Sequence, residues 1–425
     1  MDAMNIRHAS AMPAPTWSWL KMNDCTLPVP AGLERDCRVT IEVDSELLEH
    51  RLSFEGALEG LEKRLYGEGA PADERAMARA ATGTDAGAAD LDTPSLSTYQ
   101  KRATRSELGR SVIGDFETGV GVDARAYLNF LAAGTAVIAT EPGSDEAVNV
   151  NVETAPGSSS GASVDIIAGK SSRLEVNLSL NCEDAEEAPS FMGSTLRVFA
   201  DEDAFVDLTV YVTGAVGTTC VEDEGFVLAE GARVRVRHVV LSGGFTATGL
   251  AADLRGDDCR IDIDTRYLAR GEQTRDFNYI IRHRGKKTVS TMDANGVLAG
   301  ASKKCLRGTI DLIHGCKGAE GTERETVLLA SRGVDNKTVP TILCDEDDVA
   351  GNHGATIGHV RPEQLFYAAC RGLSPDSTEA LFMRAKYEDA YLNAPTDRIR
   401  ANVLRLAGEL MPDFEEEMEE EEAAC

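Results

Sequence analysis

Apolar and polar residues alternate in short bursts through the middle of the chain. Val148, Val150 and Val152 are separated by asparagines, and Leu174, Val176, Leu178 and Leu180 by glutamate, asparagine and serine. The same period returns at Leu196–Val198, Val206 to Val212, Val234–Val236, Ile261–Ile263 and Tyr279–Ile281. Successive side chains of a strand point to opposite faces, so this spacing predicts short β-strands, each with one buried face. Gly, Asp and Asn separate them, and no helical pattern interrupts them over roughly 150 residues. That excludes a doubly wound α/β fold, which needs a helix between parallel strands. A sandwich, a barrel or a β-helix fits. Few of the turns are Asn-Gly or Asp-Gly hairpin signals, which favours a solenoid of stacked rungs.

The period changes on both sides of this core. Leu47, Leu48, Leu52, Leu58, Leu61 and Leu65 recur at steps near three and four, predicting a helix over 40–65 with Asp44-Ser45-Glu46 at its start. Residues 67–96, rich in Ala, Gly, Asp and Thr, read as a linker around a short helix at Ala76 to Ala81. Asp123 to Ala132 carries a further helical signal. After Arg361, Pro362-Glu363 opens a helix through Phe366 and Tyr367 that stops at Gly372. Ser374-Pro375-Asp376 reads as the cap and first turn of a second helix, ending near Tyr391. Pro395-Thr396-Asp397 starts a third, whose Ile399, Val403, Leu406 and Leu410 form one apolar stripe. The expected division is a mostly helical N-terminal region with a linker (1–145), a β core (146–358), a helical domain capping it (359–412) and a disordered acidic tail (413–425). Like-charge repulsion among Glu415 to Glu422 is the reason for the last assignment.

The net charge of −28 adds an exclusion. Such a field repels phosphate backbones and anionic lipid surfaces, so nucleic acid and membrane are not expected partners. No stretch approaches the roughly 18 apolar residues of a membrane span, and Met1 to Pro15 carries no signal-peptide core, so a cytoplasmic location is expected. Ten cysteines are present without a C-x-x-C pair, which removes zinc-ribbon and thioredoxin motifs. Most are expected to be buried free thiols.

Few constellations carry chemistry. Gly169-Lys170-Ser171 lacks the glycine of a phosphate loop, since position 164 is Val, and Gly119-Val120-Gly121 lacks the third glycine of a dinucleotide fingerprint. Both read as turns, so the chain shows no nucleotide-hydrolysing motif. His314 and Cys316, two apart after a strand, are expected to point to one side and to form a weak metal pair. The stronger set is His353, in a Gly-Asn-His-Gly loop behind the acidic turn Asp345 to Asp348, with Cys344 and Cys370 near it in sequence. A thiol and an imidazole suit iron or a nascent cluster. His359 lies outside this set.

These residues also carry a resemblance. Asp347-Asp348-Val349, His353-Gly354-Ala355-Thr356 with Gly358, Gln364-Leu365-Phe366-Tyr367 and Cys370-Arg371-Gly372-Leu373 resemble the C-terminal signature of the SufB/SufD family of iron–sulfur cluster assembly scaffolds. Phe277-Asn278-Tyr279, His283-Arg284-Gly285 and Lys303 to Ile310 continue it upstream, and Trp17-Ser18-Trp19-Leu20-Lys21 is similar to the family's N-terminal tryptophan segment. The resemblance implies a right-handed parallel β-helix. It implies a non-catalytic scaffold that pairs with a SufB-like paralogue and docks a SufC-like ABC-type ATPase through the C-terminal helices, where Phe366, Tyr367, Arg371 and Gly372 fall. It implies a transient iron–sulfur cluster at the subunit interface, with His353 at the motif histidine. Many SufD-type chains carry a cysteine where Gly351 stands. The SufB branch places a cluster-assembly cysteine near Arg324 and a glutamate where Gly354 stands. The chain therefore looks SufD-like. Heterodimer and homodimer both remain open, and although some family complexes hold a flavin, no residue pattern here points to one. The competing reading is a β-solenoid carbohydrate-active enzyme using clustered carboxylates, against which stand the low aromatic content (5%) and the missing secretion signal.

Overall fold

The computed structural model describes residues 4–14, 20–36, 38–42, 48–51, 117–132, 135–182, 188–416 and 418. The chain begins with β1 (Met4–Ala9) and β2 (Cys25–Val29), an antiparallel pair. β3 (Glu34–Arg35), β4 (Arg38–Glu42), β5 (Leu48–Arg51), α1 (Val122–Ala132) and β6 (Ala136–Ala139) lead into the core. One face of the core holds β8 (Ser158–Ala168), β10 (Ser190–Ala200), β12 (Thr218–Leu228), β14 (Phe245–Leu254), β16 (Thr274–His283), β18 (Lys303–Leu312) and β20 (Asp335–Cys344). The other holds β7 (Asp145–Thr154), β9 (Arg173–Cys182), β11 (Phe205–Thr213), β13 (Arg233–Val240), β15 (Arg260–Ala269), β17 (Val289–Leu298), β19 (Glu320–Leu329) and β21 (Ala350–His359). Within each face every strand pairs in parallel with the one two places on. Each rung contributes one strand to each sheet, so the architecture is the parallel β-solenoid expected.

The in-register pairing explains the period-two pattern. Val148, Val176, Leu208, Val236, Ile263 and Met292 are successive partners down one face, all buried, and they stack into one apolar column inside the solenoid. Each rung buries its apolar row against the next, which no rung alone can do. The outward rows are polar and carry ion pairs, Arg235 with Asp207 between neighbouring rungs, and Arg260 with Asp262 and Arg266 with Asp264 along β15.

Two N-terminal expectations are corrected. Within the 40–65 helix, the residues described are strands: β4 pairs antiparallel with β7, and β5 with β6. Open sheet edges offer a row of backbone partners, and this outweighs the local leucine spacing. The leucines at 52, 58, 61 and 65, the linker 67–96 and Trp17 to Trp19 lie outside the described residues. The helix predicted at 123–132 is α1. It lies on the even-numbered face, where Gly161 and Gly193 allow close approach: a Cβ at these positions would stand 2.7 Å from Leu131 Cβ and 2.6 Å from Leu128 Cδ2. The described part of the N-terminal region is thus mainly strand, and the solenoid begins before 146.

C-terminally, α2 (Pro362–Cys370), α3 (Pro375–Leu392) and α4 (Asp397–Gly408) form as the sequence predicts. Ser374 Oγ accepts the Ser377 N–H (3.0 Å) and Thr396 Oγ1 the Ile399 N–H (3.2 Å), the two expected caps. Their placement differs from the expectation. α3 and α4 do not cap the end of the core but lie along the odd-numbered face, where Tyr387, Tyr391, Ile399, Val403 and Leu406 bury Tyr211, Val239, Leu268 and Val297. Tyr211 OH donates to Ala390 O (2.9 Å), and Arg405 to Thr213 O (3.1 Å). The acidic tail needs correction too. Phe414 and Met418 are fully buried in this cluster, so apolar anchors interrupt a run that looks purely solvated. The remaining residues from 419 onward lie outside the described set.

Candidate functional site

Among the described residues, no further rung covers the last one. β20 and β21 end their sheets, β20 is half-buried along most of its length, and Gly351 through His359 are exposed. Two unpaired ten-residue edges at one end of a stack are open backbone templates. His353 lies here, but not in a loop as the glycines around it suggest. Pairing with β19 extends the chain through Gly351 and Gly354, and His353 stands mid-strand opposite Glu323. Because inward and outward positions alternate, this register puts His353 on the inward row, at the top of the column that begins with Val148. Gly351 shares that row: a Cβ there would stand 3.1 Å from Ile342 Cγ2 on the facing strand.

Beneath His353, the interior turns polar. Glu323 and Glu325 face inward and are buried. Lys304 Nζ, also buried, pairs with Glu325 and donates to Thr338 Oγ1 (3.2 Å). Burial, reinforced by the Glu325 charge and opposed by Lys304, pushes the Glu323 carboxyl up to about 7. Deeper in the stack a second polar group is sealed: Glu224 Oε1 lies 3.0 Å from His238 Nε2, whose Nδ1 lies 3.2 Å from Tyr279 OH, itself 2.8 Å from Thr265 Oγ1. Sequence reading missed Glu323, although a glutamate on the inward phase of a strand was the available signal.

The other predicted residues do not converge on His353. Cys344 closes β20, exposed, its thiol donating to Glu346 O (3.2 Å). Cys370 ends α2, exposed, beyond the solenoid. Among the described residues no three His, Cys, Asp or Glu side chains gather as metal donors. His314 and Cys316 do not share a side either. They sit in a turn whose Gly315 has φ +103, so the strand rule fails: the imidazole is 84% exposed while Cys316 is buried. Burial, with the Glu346 and Cys344 charges, pushes the Cys316 thiol up to about 11, opposite to the activation a neighbouring imidazole would give. The stacked corners do meet through Glu346, which accepts the Gly315 N–H (2.9 Å) and lies 3.6 Å from His314 Nδ1. That backbone bond, foremost, holds the Glu346 carboxyl below its usual value.

The α2 residues form an exposed apolar surface. Phe366 is 72% and Tyr367 61% exposed, with Leu365 beside them. The Arg371 guanidinium lies 5.4 Å from the Tyr367 ring centre, and Gly372 takes φ +84 to end the helix. A cavity of about 350 Å³ opens beside Tyr367, lined by Ala368, Leu373, Leu381 and Phe382. A larger one, about 540 Å³, lies under the N-terminal hairpin. There Arg307 donates to Met22 O (2.6 Å) and Asp24 O (3.0 Å) and pairs with Asp276, tying the hairpin to β16 and β18.

The family model for the SUF system FeS cluster assembly SufBD core domain matches residues 151–386, and the chain belongs to that family. It is 30% identical over 164 residues to the iron-sulfur cluster assembly protein SufD of Bacillus subtilis, covering 39% of this chain and 38% of that protein. It is 20% identical over 186 residues to SufD of Escherichia coli, 44% of each chain, and 27% identical over 154 residues to a chloroplastic SufBD family protein of Arabidopsis thaliana, covering 36% of this chain and 27% of that one. The chain thus spans less than half the length of these relatives. No described helix is long and apolar enough to cross a membrane.

Proposed function

We propose that this chain is a SufD-like, non-catalytic scaffold subunit of a Suf-type iron–sulfur assembly complex, working in the cytoplasm. Its solenoid end receives a SufB-like paralogue and its α2 surface a SufC-like ABC-type ATPase. The observation that carries this is the open terminal rung with His353 on its inward row. Two free ten-residue edges are an unstable ending for a monomer and a ready interface for a second solenoid. A chain seated there would face the imidazole, a competent iron ligand. The exposed Phe366 and Tyr367 fit a partner that supplies ATP hydrolysis, for which this chain has no motif. The cluster is cargo, built between subunits rather than held by this chain.

The test is iron and acid-labile sulfide per purified complex after co-expression with the SufB-like and SufC-like partners. His353→Ala should leave melting and assembly unchanged and lower cluster content several-fold, while His359→Ala, whose Nδ1 bonds to Leu329 O (2.9 Å), should leave cluster content normal. Normal cluster content in the His353 variant would refute the role.

A further inference from the structure

Odd-numbered strands lead into even-numbered ones at a corner that α3 and α4 flank, and a cavity of about 470 Å³ lies there. Arg270 and Gln273 line it from the solenoid, Met383 of α3 and Leu410 after α4 from the helices, with the exposed Val216 beside them. The charges at this corner do not balance. Arg275 is fully buried, and its guanidinium donates only to neutral oxygens: Leu268 O (2.9 Å), Gly243 O (2.8 Å), Thr274 O (3.2 Å) and Gln273 Oε1 (2.9 Å). Burial lowers its pKa to about 10, Cys220 and Tyr387 oppose this, and the like charge of Arg270 adds to it. Neither those bonds nor those neighbours include a carboxylate. Arg270 is half-buried, with no ion pair among the described residues. Burial raises the Tyr387 phenol of α3, and Arg270 opposes it, so the Arg270 charge reaches the helix side of the corner. Gln273, 3% exposed, gives its Oε1 to Arg275 and to the Arg270 N–H (3.0 Å), and its Nε2 has no partner among the described residues. Glu272, the carboxylate of the lining, is exposed to water, which screens it. Buried cations without a counter-charge cost stability, and composition does not account for two of them in a chain of net charge −28.

We propose that this cavity binds a small carboxylate with an aliphatic body. The carboxylate lies on the Arg270 guanidinium, whose planar fork matches it with two parallel hydrogen bonds. The body lies against Val216, Met383 and Leu410, the apolar wall that small-molecule sites commonly provide. Arg275 does not line the cavity. Its charge, sealed beneath and weakly screened at that depth, favours an anion over a neutral ligand of the same shape. A bare phosphate would leave the apolar wall unused, and Arg270 is the cation that the lining offers it. The site is set back from the last rung, on the rungs of Val216 to Ala299, so it stands or falls independently of the scaffold reading.

The experiment titrates the full-length chain with hexanoate in a calorimeter at fixed ionic strength, and follows melting with and without it. Wild type should bind one hexanoate per chain saturably and melt higher in its presence. Arg270→Gln should weaken binding at least tenfold and lose the rise in melting temperature, and Arg270→Lys should keep part of both. Val216 is 54% exposed, so Val216→Trp narrows the cavity without disturbing the core and should weaken hexanoate binding several-fold. Lys170→Gln removes an exposed cation from another corner and should change nothing. Inorganic phosphate should bind at least tenfold more weakly than hexanoate. No saturable binding by wild type, or wild-type affinity in Arg270→Gln, would overturn the site. Phosphate binding as tight as hexanoate, or full hexanoate affinity in Val216→Trp, would overturn the assignment of an aliphatic carboxylate. Should Arg270→Gln melt below wild type without ligand, Val216→Trp decides, because it leaves the arginine in place.

Discussion

At the scale of single residues, burial sets the chemistry. Asp223 accepts the N–H groups of Val120 (2.8 Å) and Gly121 (3.3 Å) at the start of α1, yet burial still raises its carboxyl to about 6, with Arg125 opposing. A folded value above the unfolded value of about 3.9 means that the native state binds this proton more tightly. The stability it contributes is full below pH 4 and is lost as pH rises through 6. Asp223→Asn should therefore gain on wild type in melting temperature from pH 4.5 to pH 7.5. A difference that does not change with pH would show that this group does not titrate in the folded protein. The Arg197–Asp165 pair, 1% exposed on both sides at 2.6 Å, acts differently. Arg197→Met strands a buried carboxylate and should cost about 3–5 kcal/mol in urea unfolding, while adding Asp165→Leu should restore most of it. An additive pair of losses would contradict this.

At the scale of elements, the C-terminal helices divide their work by face. α4 and the residues after it are structural. Phe414 is fully buried against Tyr391, with ring centres 6.4 Å apart and nearly perpendicular. Phe414→Ala should cost about 3–5 kcal/mol, whereas neutralising Glu415 and Glu416, both exposed, should stay within about 0.5 kcal/mol. Equal urea midpoints for Phe414→Ala and wild type would mean that the tail does not dock in solution. α2 presents the reverse case. Replacing Phe366 and Tyr367 by alanine removes little buried area, so melting should hold. Affinity for the proposed ATPase partner should fall at least tenfold in a pull-down or calorimetric titration. Unchanged affinity would place that partner elsewhere.

For the whole molecule, the open end governs association. Ile357 lies on the inward row of β21 and is 44% exposed only because no rung follows. The purified chain should self-associate through this edge at high concentration, and the proposed SufB-like partner should compete with that self-association. Ile357→Lys puts a charge on the edge, so light scattering should then show a monomer. Self-association that survives this change would locate the contact on another surface.

Much of the fold was legible in the chain. The inward phase of the strands, the helix starts at Ser374 and Thr396 and the stop at Gly372 are local properties, because alternation, side-chain caps and left-handed glycine act over a few residues. The site was half legible: the motif singled out His353, and nothing near it in sequence named Glu323. The two are 30 positions apart and become neighbours only when β21 docks beside β19. Pairing alone decided that the Gly-Asn-His-Gly segment is strand rather than loop, that residues 40–42 and 48–51 are strand rather than helix, and that His314 and Cys316 point apart. Packing alone decided that Phe414 and Met418 are core. Periodicity states which side of an element is apolar, but which surface covers that side is settled by residues far along the chain.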